Sequence, residues 1–150
     1  MNKTIKNVGL IGLGAVGALY AERLLASGAA LSVIVDAARK ERYAREGVLV
    51  NGRRVDFPYV TPDEAKSVDL LIIATKQGGL ESAMETAAPF IAEHTLMISL
   101  INGVTSEEMI AQRFGAEHVL YAVAQGMDAV KVGNSLTYTK PGQIVLGERE

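Results

Sequence analysis

The apolar residues of this chain fall into short continuous runs that alternate with segments of helical periodicity. Five runs predict strands at residues 5–9, 31–35, 70–74, 96–101 and 119–124. Runs without polar alternation are typical of strands buried on both faces, as in a parallel sheet covered by helices. Apolar spacing and end signals predict helices at residues 15–26, 39–46, 80–88 and 106–114. The alternation therefore predicts a doubly wound α/β fold with a mainly parallel sheet and helices on both faces.

Two segments depart from this alternation. Residues 48–50 and 53–57 flank an Asn51-Gly52 pair, which predicts a hairpin that decorates the edge of the sheet. After residue 123 the sequence becomes polar and glycine-rich, and residues 134–138 and 143–146 predict two antiparallel strands. We therefore expect an antiparallel C-terminal extension beside the parallel sheet.

Composition and charge exclude several classes of partner. The 150 residues are 49% hydrophobic, which is typical of one folded domain. A net charge of −2 provides no dense basic field for nucleic acid or for an anionic membrane surface. The absence of cysteine excludes disulfides and thiolate metal sites. Because His94 and His118 lack carboxylates at matching spacing, we expect no metal site.

The N-terminal region imitates a secretory signal, since Lys3 and Lys6 precede an apolar stretch at residues 8–21. Glycines at positions 9, 12, 14 and 17 interrupt this stretch, and each weakens a helix by roughly 1 kcal/mol relative to alanine. The stretch is also too short to span a bilayer. We therefore expect a cytoplasmic chain with no membrane partner.

The most specific motif is Gly12-Leu13-Gly14-Ala15-Val16-Gly17, a G-x-G-x-x-G sequence between a predicted strand and a predicted helix. In this motif Gly12 permits a tight turn, Gly14 lets the backbone approach a pyrophosphate, and Gly17 allows close packing of the helix. The helix N-terminus then binds the anion. This context predicts a Rossmann-like dinucleotide site, the alternative being a glycine-rich loop without a ligand. A Walker A site is excluded because no Gly-Lys-Ser/Thr follows.

Asp36 ends the second predicted strand, about 20 residues beyond the motif, where a carboxylate binds the adenosine ribose of NAD. Its alternative role is to cap the helix that follows. Arg39, Lys40 and Arg42 come next, and charge-assisted bonds from such cations would hold the 2′-phosphate of NADP. For at least two of them the alternative is a solvated helix face. These residues leave both NADP(H) and NAD(H) open.

Thr75-Lys76-Gln77 and Asn102-Gly103 follow the third and fourth predicted strands, at the end of the sheet where such folds bind ligands. With the glycine motif before them and Pro141-Gly142 and Leu146-Gly147-Glu148 after them, the chain resembles the ketopantoate reductases (2-dehydropantoate 2-reductases) over nearly its whole length. The resemblance implies an NADPH-dependent reduction of ketopantoate in pantothenate and coenzyme A biosynthesis. It also implies that Lys76 and Asn102 line the cofactor cleft, with Asn102 near the nicotinamide and the substrate.

The resemblance further implies a second, helical domain that supplies the proton-donating lysine and most substrate contacts. We therefore expect residues 1–150 to form the dinucleotide-binding domain, with no catalytic residue of their own and no turnover alone. A small 2-oxo acid is the expected substrate of the whole enzyme, and NADP(H) is favoured if Arg39 or Lys40 replaces the basic residue that many relatives carry at position 36. The alternatives are a domain of a related 2- or 3-hydroxy acid dehydrogenase and a stand-alone NAD(P)-binding regulatory module. Homo-oligomer formation is left open.

Overall fold

A five-stranded parallel sheet lies at the centre of the computed structural model, which describes residues 4–101 and 105–147. The helices are α1 (Ala15–Ala26), α2 (Ala37–Glu46), α3 (Leu80–Ala87) and α4 (Thr105–Phe114). The strands are β1 (Asn7–Ile11), β2 (Ala30–Ile34), β3 (Val48–Val50), β4 (Arg53–Val55), β5 (Tyr59–Val60), β6 (Leu70–Ile73), β7 (Leu96–Ser99), β8 (Tyr121–Met127), β9 (Val130–Val132), β10 (Ser135–Thr137) and β11 (Pro141–Gly147). Short 3-10 turns connect several of them.

The strand order of the central sheet is β5-β2-β1-β6-β7. Val8 of β1 pairs in parallel with Leu31 on one side and with Leu70 on the other. The chain thus builds outwards from β1 in both directions. The loops after β1 and β6 therefore flank a crevice at the carboxyl ends of the strands, the position at which this class of sheet binds ligands.

Both faces of the sheet are buried. Along β6, Ile72 joins a hydrophobic cluster with residues of α1, while Leu71 and Ile73 join the opposite cluster with residues of α3 and α4. Tyr43 brings α2 to the α1 side. The structure therefore confirms the predicted doubly wound architecture with helices on both faces.

The fifth strand of the sheet is not the predicted one. Within residues 119–124, Val119 makes only an isolated parallel bridge to Met97, and the chain then turns into β8, which pairs in antiparallel fashion with β11. The fifth strand is instead β5, which lies at the opposite edge of the sheet and pairs in parallel with β2. Val123 is 58% exposed, so this apolar run is not buried on both faces as the prediction required.

The predicted hairpin is present, with Asn51 at φ 49° and Gly52 at φ 81° in its turn, but it does not decorate the central sheet. It belongs to a second sheet of order β4-β3-β10-β9. The two predicted C-terminal strands both form antiparallel pairs, with different partners: β10 pairs with β9, and β11 pairs with β8. The C-terminal segment therefore adds β9 and β10 to the sheet of the hairpin and forms a separate two-stranded sheet from β8 and β11.

The boundaries of α1 agree with the prediction, and α2 begins two residues early because Asp36 caps it. Strand β1 is shifted two residues towards the glycine motif, so Ile11 lies directly before Gly12. Across residues 4–101 and 105–147, no helix has the length and apolar character that a bilayer crossing requires.

Candidate functional site

The loop between β1 and α1 requires two of its glycines for backbone reasons. Gly12 has a φ of +107°, and a Cβ there would lie 2.7 Å from the carbonyl carbon of Ala74 and from the amide nitrogen of Thr75. A Cβ at Gly17 would overlap the carbonyl oxygen of Gly12. These glycines therefore allow the loop to pass against the end of β6 and α1 to begin close to it.

Gly14 is different, because the fold does not require a glycine there. Its φ of −74° and ψ of −166° are open to any residue, and a Cβ would have no atom within 4 Å. Gly14 is also the N-cap of the 12-residue helix α1 and provides no capping side chain. The first amide groups of a helix lack intrahelical acceptors and carry partial positive charge. The missing side chain thus leaves an open approach to an electropositive helix end.

A cleft of about 350 Å³ lies in front of this loop. It brings together the loop, the end of β2, the turn after β6 and one side of α3. Its lining residues are Ile11, Gly12, Leu13, Ile34, Val35, Asp36, Arg39, Tyr43, Thr75, Gly79, Ser82, Ala83 and Thr86. Leu13 is 8% exposed. Ala15 and Val16 are half-buried and pack against the hydrophobic cluster that contains residues of α1. Of the motif, Gly12 and Leu13 line the cleft together with Asp36, whereas residues 14–17 do not.

Asp36 makes two contacts with a single residue. Its Oδ1 accepts a hydrogen bond from the backbone N–H of Arg39 at 2.7 Å, and its Oδ2 pairs with the Arg39 guanidinium at 2.6 Å. The helix-capping role is therefore confirmed. Both side chains are at least half exposed, so the ion pair faces solvent beside the cleft. The ribose-binding role of Asp36 stays a prediction.

The other two cations of the cluster have separate partners. Lys40 Nζ lies 2.7 Å from Glu64 Oε1, and this hydrogen bond is the main cause that lowers the pKa of Glu64 to about 2. The guanidinium carbon of Arg42 lies 5.1 Å from the centre of the Tyr43 ring. Lys40 is therefore held by a carboxylate, whereas Arg42 rests on an aromatic face.

Thr75 and Lys76 follow β6 at the same end of the sheet. Thr75 Oγ1 is buried and has no hydrogen-bond partner among the residues that the structure describes. An unsatisfied buried hydroxyl costs about 1–3 kcal/mol, so a ligand that bonded it would relieve that cost. Lys76 is exposed and does not line the cleft. Asn102, Gly103 and Glu148, which carried part of the resemblance, lie outside the described residues.

Sequence reasoning missed two residues of this region. Tyr43 lies one helical turn beyond Arg39 and two turns beyond Asp36, and it lines the same cleft. The helical periodicity of α2 could have revealed that these three residues lie on one side of the helix. Lys131 reaches the loop from β9, and its Nζ donates a hydrogen bond to the carbonyl oxygen of Leu13. Burial lowers the pKa of the Lys131 ammonium, and the charge of Arg42 lowers it further. No local sequence signal points to Lys131.

The two histidines make structural contacts. His118 Nδ1 lies 2.7 Å from the carbonyl oxygen of Thr95, and His94 Nε2 lies 3.1 Å from Asp69 Oδ1. Asp69 also accepts hydrogen bonds from the backbone N–H groups of Lys6 and Asn7, which lower the pKa of its carboxyl group. In the described part of the chain, no three His, Asp or Glu side chains come together as metal ligands would.

A parallel sheet of this strand order, with a G-x-G-x-x-G loop at the point where the order reverses, defines a Rossmann-type α/β domain, the class that binds dinucleotides at this end of the sheet. Residues 8–150 match the family described as ketopantoate reductase PanE/ApbA. The chain belongs to this family.

Three similar proteins illustrate the match. The uncharacterized oxidoreductase YkpB of Bacillus subtilis (strain 168) is 26% identical over 115 residues, which cover 74% of this chain and 38% of that protein. The crystal structure of 2-dehydropantoate 2-reductase from Geobacter metallireducens GS-15 is 25% identical, with a TM-score of 0.77, and the match covers 95% of this chain and 49% of that one.

The structure of D-mandelate dehydrogenase with NADH and anilino(oxo)acetate is 24% identical, with a TM-score of 0.73. The match covers 89% of this chain and 45% of that one. At that identity the likeness concerns the fold alone. The chain thus spans less than half the length of each of these proteins.

Proposed function

We propose that residues 1–150 are the dinucleotide-binding domain of a reductase that converts ketopantoate to pantoate, with NADP(H) as the cofactor. One observation carries the proposal: Gly14 leaves open space at the N-terminus of α1 where the fold itself requires no glycine. A side chain there would fill the approach that a pyrophosphate needs. Gly12 and Gly17, by contrast, are explained by packing alone.

The bound dinucleotide would supply the hydride that reduces the ketone carbon. The protein residues bind and orient it. The backbone amides of residues 13–16 would hold the pyrophosphate, and Asp36 would accept hydrogen bonds from the adenosine ribose. The unpaired hydroxyl of Thr75 offers one further hydrogen bond within the cleft. Lys76 is exposed after β6, outside the cleft, so the cofactor contact that the family resemblance implies for it requires its side chain to reach a bound dinucleotide. For Asn102 the resemblance implies a place near the nicotinamide and the substrate.

The Asp36–Arg39 pair bears on the choice between NADP(H) and NAD(H). An uncompensated carboxylate at this position would repel a 2′-phosphate, but the guanidinium of Arg39 lies 2.6 Å from it. The pair therefore presents little net charge to the ribose. Because Arg39 neutralises the charge of Asp36, the pair is compatible with the 2′-phosphate of NADP(H), although it does not itself supply a cation to bind that phosphate.

Family membership, rather than the fold, supports ketopantoate as the substrate. Rossmann-type domains serve many dehydrogenases, including the 2-hydroxy acid dehydrogenases, so the fold leaves the substrate undefined. The proposed reaction belongs to pantothenate and coenzyme A biosynthesis, and we expect it in the cytoplasm. The proton donor is expected from a lysine outside residues 1–150, in the helical domain that the resemblance implies.

The purified 150-residue chain tests the proposal directly. Calorimetric titration with NADPH and NADH should show binding, and a spectrophotometric assay with ketopantoate and NADPH should show no steady turnover. A folded chain that binds neither dinucleotide would overturn the binding role. Steady, ketopantoate-dependent NADPH oxidation at an ordinary enzymatic rate would show instead that the proton donor lies within this chain.

A further inference from the structure

Lys131 connects the second sheet with the glycine-rich loop. It pairs across the ladder with Leu136, which is fully buried, so both side chains lie on the inner face of that sheet. Its neighbours Val130 and Val132 point the other way and are 60% and 75% exposed. From this inner face the Lys131 ammonium reaches a backbone carbonyl 118 positions earlier in the sequence, that of Leu13.

The ammonium has no compensating carboxylate within the described residues. Its one recorded hydrogen bond is to the neutral Leu13 carbonyl, and the charged group that affects it is another cation, Arg42. Arg39 and Lys40, in contrast, each pair with a carboxylate within 2.7 Å. The repulsion between two like charges is unfavourable, and a bound anion would relieve it.

Neither cation lines the cleft itself, but each lies next to residues that do. Leu13, which Lys131 contacts, lines the cleft together with Asp36 and Arg39. The adjoining groove is lined by Asp36, Ala38, Arg39, Glu41, Arg42 and Arg45, so three arginines face two carboxylates there. The two depressions thus meet at Asp36, where a Rossmann-type domain holds the adenosine ribose. A phosphate on the ribose 2′-oxygen would therefore lie near Asp36, close to the groove that Arg42 lines and to the Leu13 carbonyl that Lys131 contacts.

We propose that Lys131, assisted by Arg42, binds the 2′-phosphate of NADP(H) and makes this chain selective for NADP(H) over NAD(H). The inference rests on the proposed function and adds a specificity residue to the same cleft. Lys131 exchanges the neutral Leu13 carbonyl for a phosphate oxygen, which forms a stronger, charge-assisted bond. The C-terminal sheet therefore provides the cation that position 36 lacks.

The competing explanation is that Lys131 only tethers the loop. A tether would hold the backbone amides that serve the pyrophosphate, which NADPH and NADH share. Its loss would weaken both dinucleotides equally. A 2′-phosphate contact would weaken NADPH alone.

The test uses calorimetric titration of the full chain and of Lys131→Met, with NADPH, NADH, adenosine 2′-monophosphate and ADP as separate probes. We expect the Kd of NADPH and of adenosine 2′-monophosphate to rise by about tenfold or more, as for the loss of one charge-assisted bond. The Kd of NADH and of ADP should change by less than about twofold. Lys131→Arg, which keeps the charge, should retain most of the preference for NADPH.

Lys140→Met is the matched control, because it removes the same charge from an exposed position of the same C-terminal segment. It should leave all four affinities unchanged, and melting curves should show that every variant is folded. Equal losses for NADPH and NADH in Lys131→Met would establish a tether and overturn the inference, and unchanged NADPH affinity would overturn it as well. In either outcome wild-type binding would leave the proposed function standing, whereas a wild-type chain that binds neither dinucleotide would refute the proposed function itself.

Discussion

Gly14→Val separates the proposed binding role of the glycine-rich loop from its structural role. The backbone of Gly14 is extended, at φ −74° and ψ −166°, and the new Cβ would meet no atom within 4 Å. Valine is a poorer N-cap than glycine by about 1 kcal/mol, and the lower entropy of the unfolded chain returns about 0.4–1 kcal/mol. The free energy of unfolding should therefore change by no more than about 1 kcal/mol.

Binding should respond far more strongly. The valine side chain would stand in the space through which a pyrophosphate approaches the first turn of α1. Each charge-assisted hydrogen bond contributes about 1.5–3 kcal/mol, so the loss of two raises the Kd of either dinucleotide by roughly 10²–10⁴-fold. NADPH and NADH should be affected alike, because both contain the pyrophosphate.

Calorimetric titration measures the binding loss, and thermal unfolding followed by circular dichroism measures the stability. Ala26→Val is the matched control, because it adds a branched side chain at an exposed position about 18 Å away, at the far end of the same helix. This control should bind both dinucleotides normally. A folded Gly14→Val variant with wild-type affinity would show that the loop is only structural and that the reasoning from the open Cβ direction is wrong.

Two further predictions concern stability. Gly17→Ala should lower the melting temperature by several degrees, because the new Cβ would overlap the Gly12 carbonyl oxygen and such overpacking costs about 1–3 kcal/mol. An unchanged melting temperature would mean that α1 can move away freely. Hydrogen bonds from the Thr139 hydroxyl and from the N–H groups of Lys140 and Thr139 lower the pKa of Asp128 to about 2. The Asp128 carboxylate therefore stabilises the fold fully above pH 3.8, the ordinary pKa of the group, and this stabilisation is lost as the pH falls towards 2. Asp128→Asn should therefore destabilise the chain at pH 7, and its difference from wild type in urea unfolding should shrink between pH 4 and pH 2; a difference independent of pH would refute this.

The parts of the fold that the sequence predicted well depend on local signals. Helix α1 follows from a glycine motif at its start and a continuous apolar pattern, and the Asn51-Gly52 turn follows from two residues that tolerate a positive φ. Asp36 was predicted both as a helix cap and as a ribose ligand. The structure settles the first role because capping requires only the residues next in sequence.

The errors arise where pairing between distant segments decides the outcome. Strand β5 has only two residues, too few for any periodicity, and it exists because Val33 and Ile34 of β2 offer it an edge. The stronger apolar run at residues 119–124 diverges after Val119, since β11 provides it with an antiparallel partner. A continuous apolar run is typical of burial on both faces, but it does not show which strand the run will pair with, and here the antiparallel partner β11 decides the outcome.

The contact of Lys131 with the loop after β1 likewise joins distant segments, so no local sequence signal predicted it. Among the described residues, three side-chain hydrogen bonds connect the C-terminal segments with α1 or its loop: Lys131 to Leu13, Tyr20 to Pro141 at 3.2 Å, and Tyr138 to Glu22 at 3.1 Å. The helix whose N-terminus is the proposed anion site is therefore held by residues that come after the last strand of the central sheet. A boundary drawn after β7 would retain the complete glycine motif and Asp36 but would remove these three contacts. The C-terminal sheets are for this reason part of the candidate site, although the sequence pattern presents them as an extension.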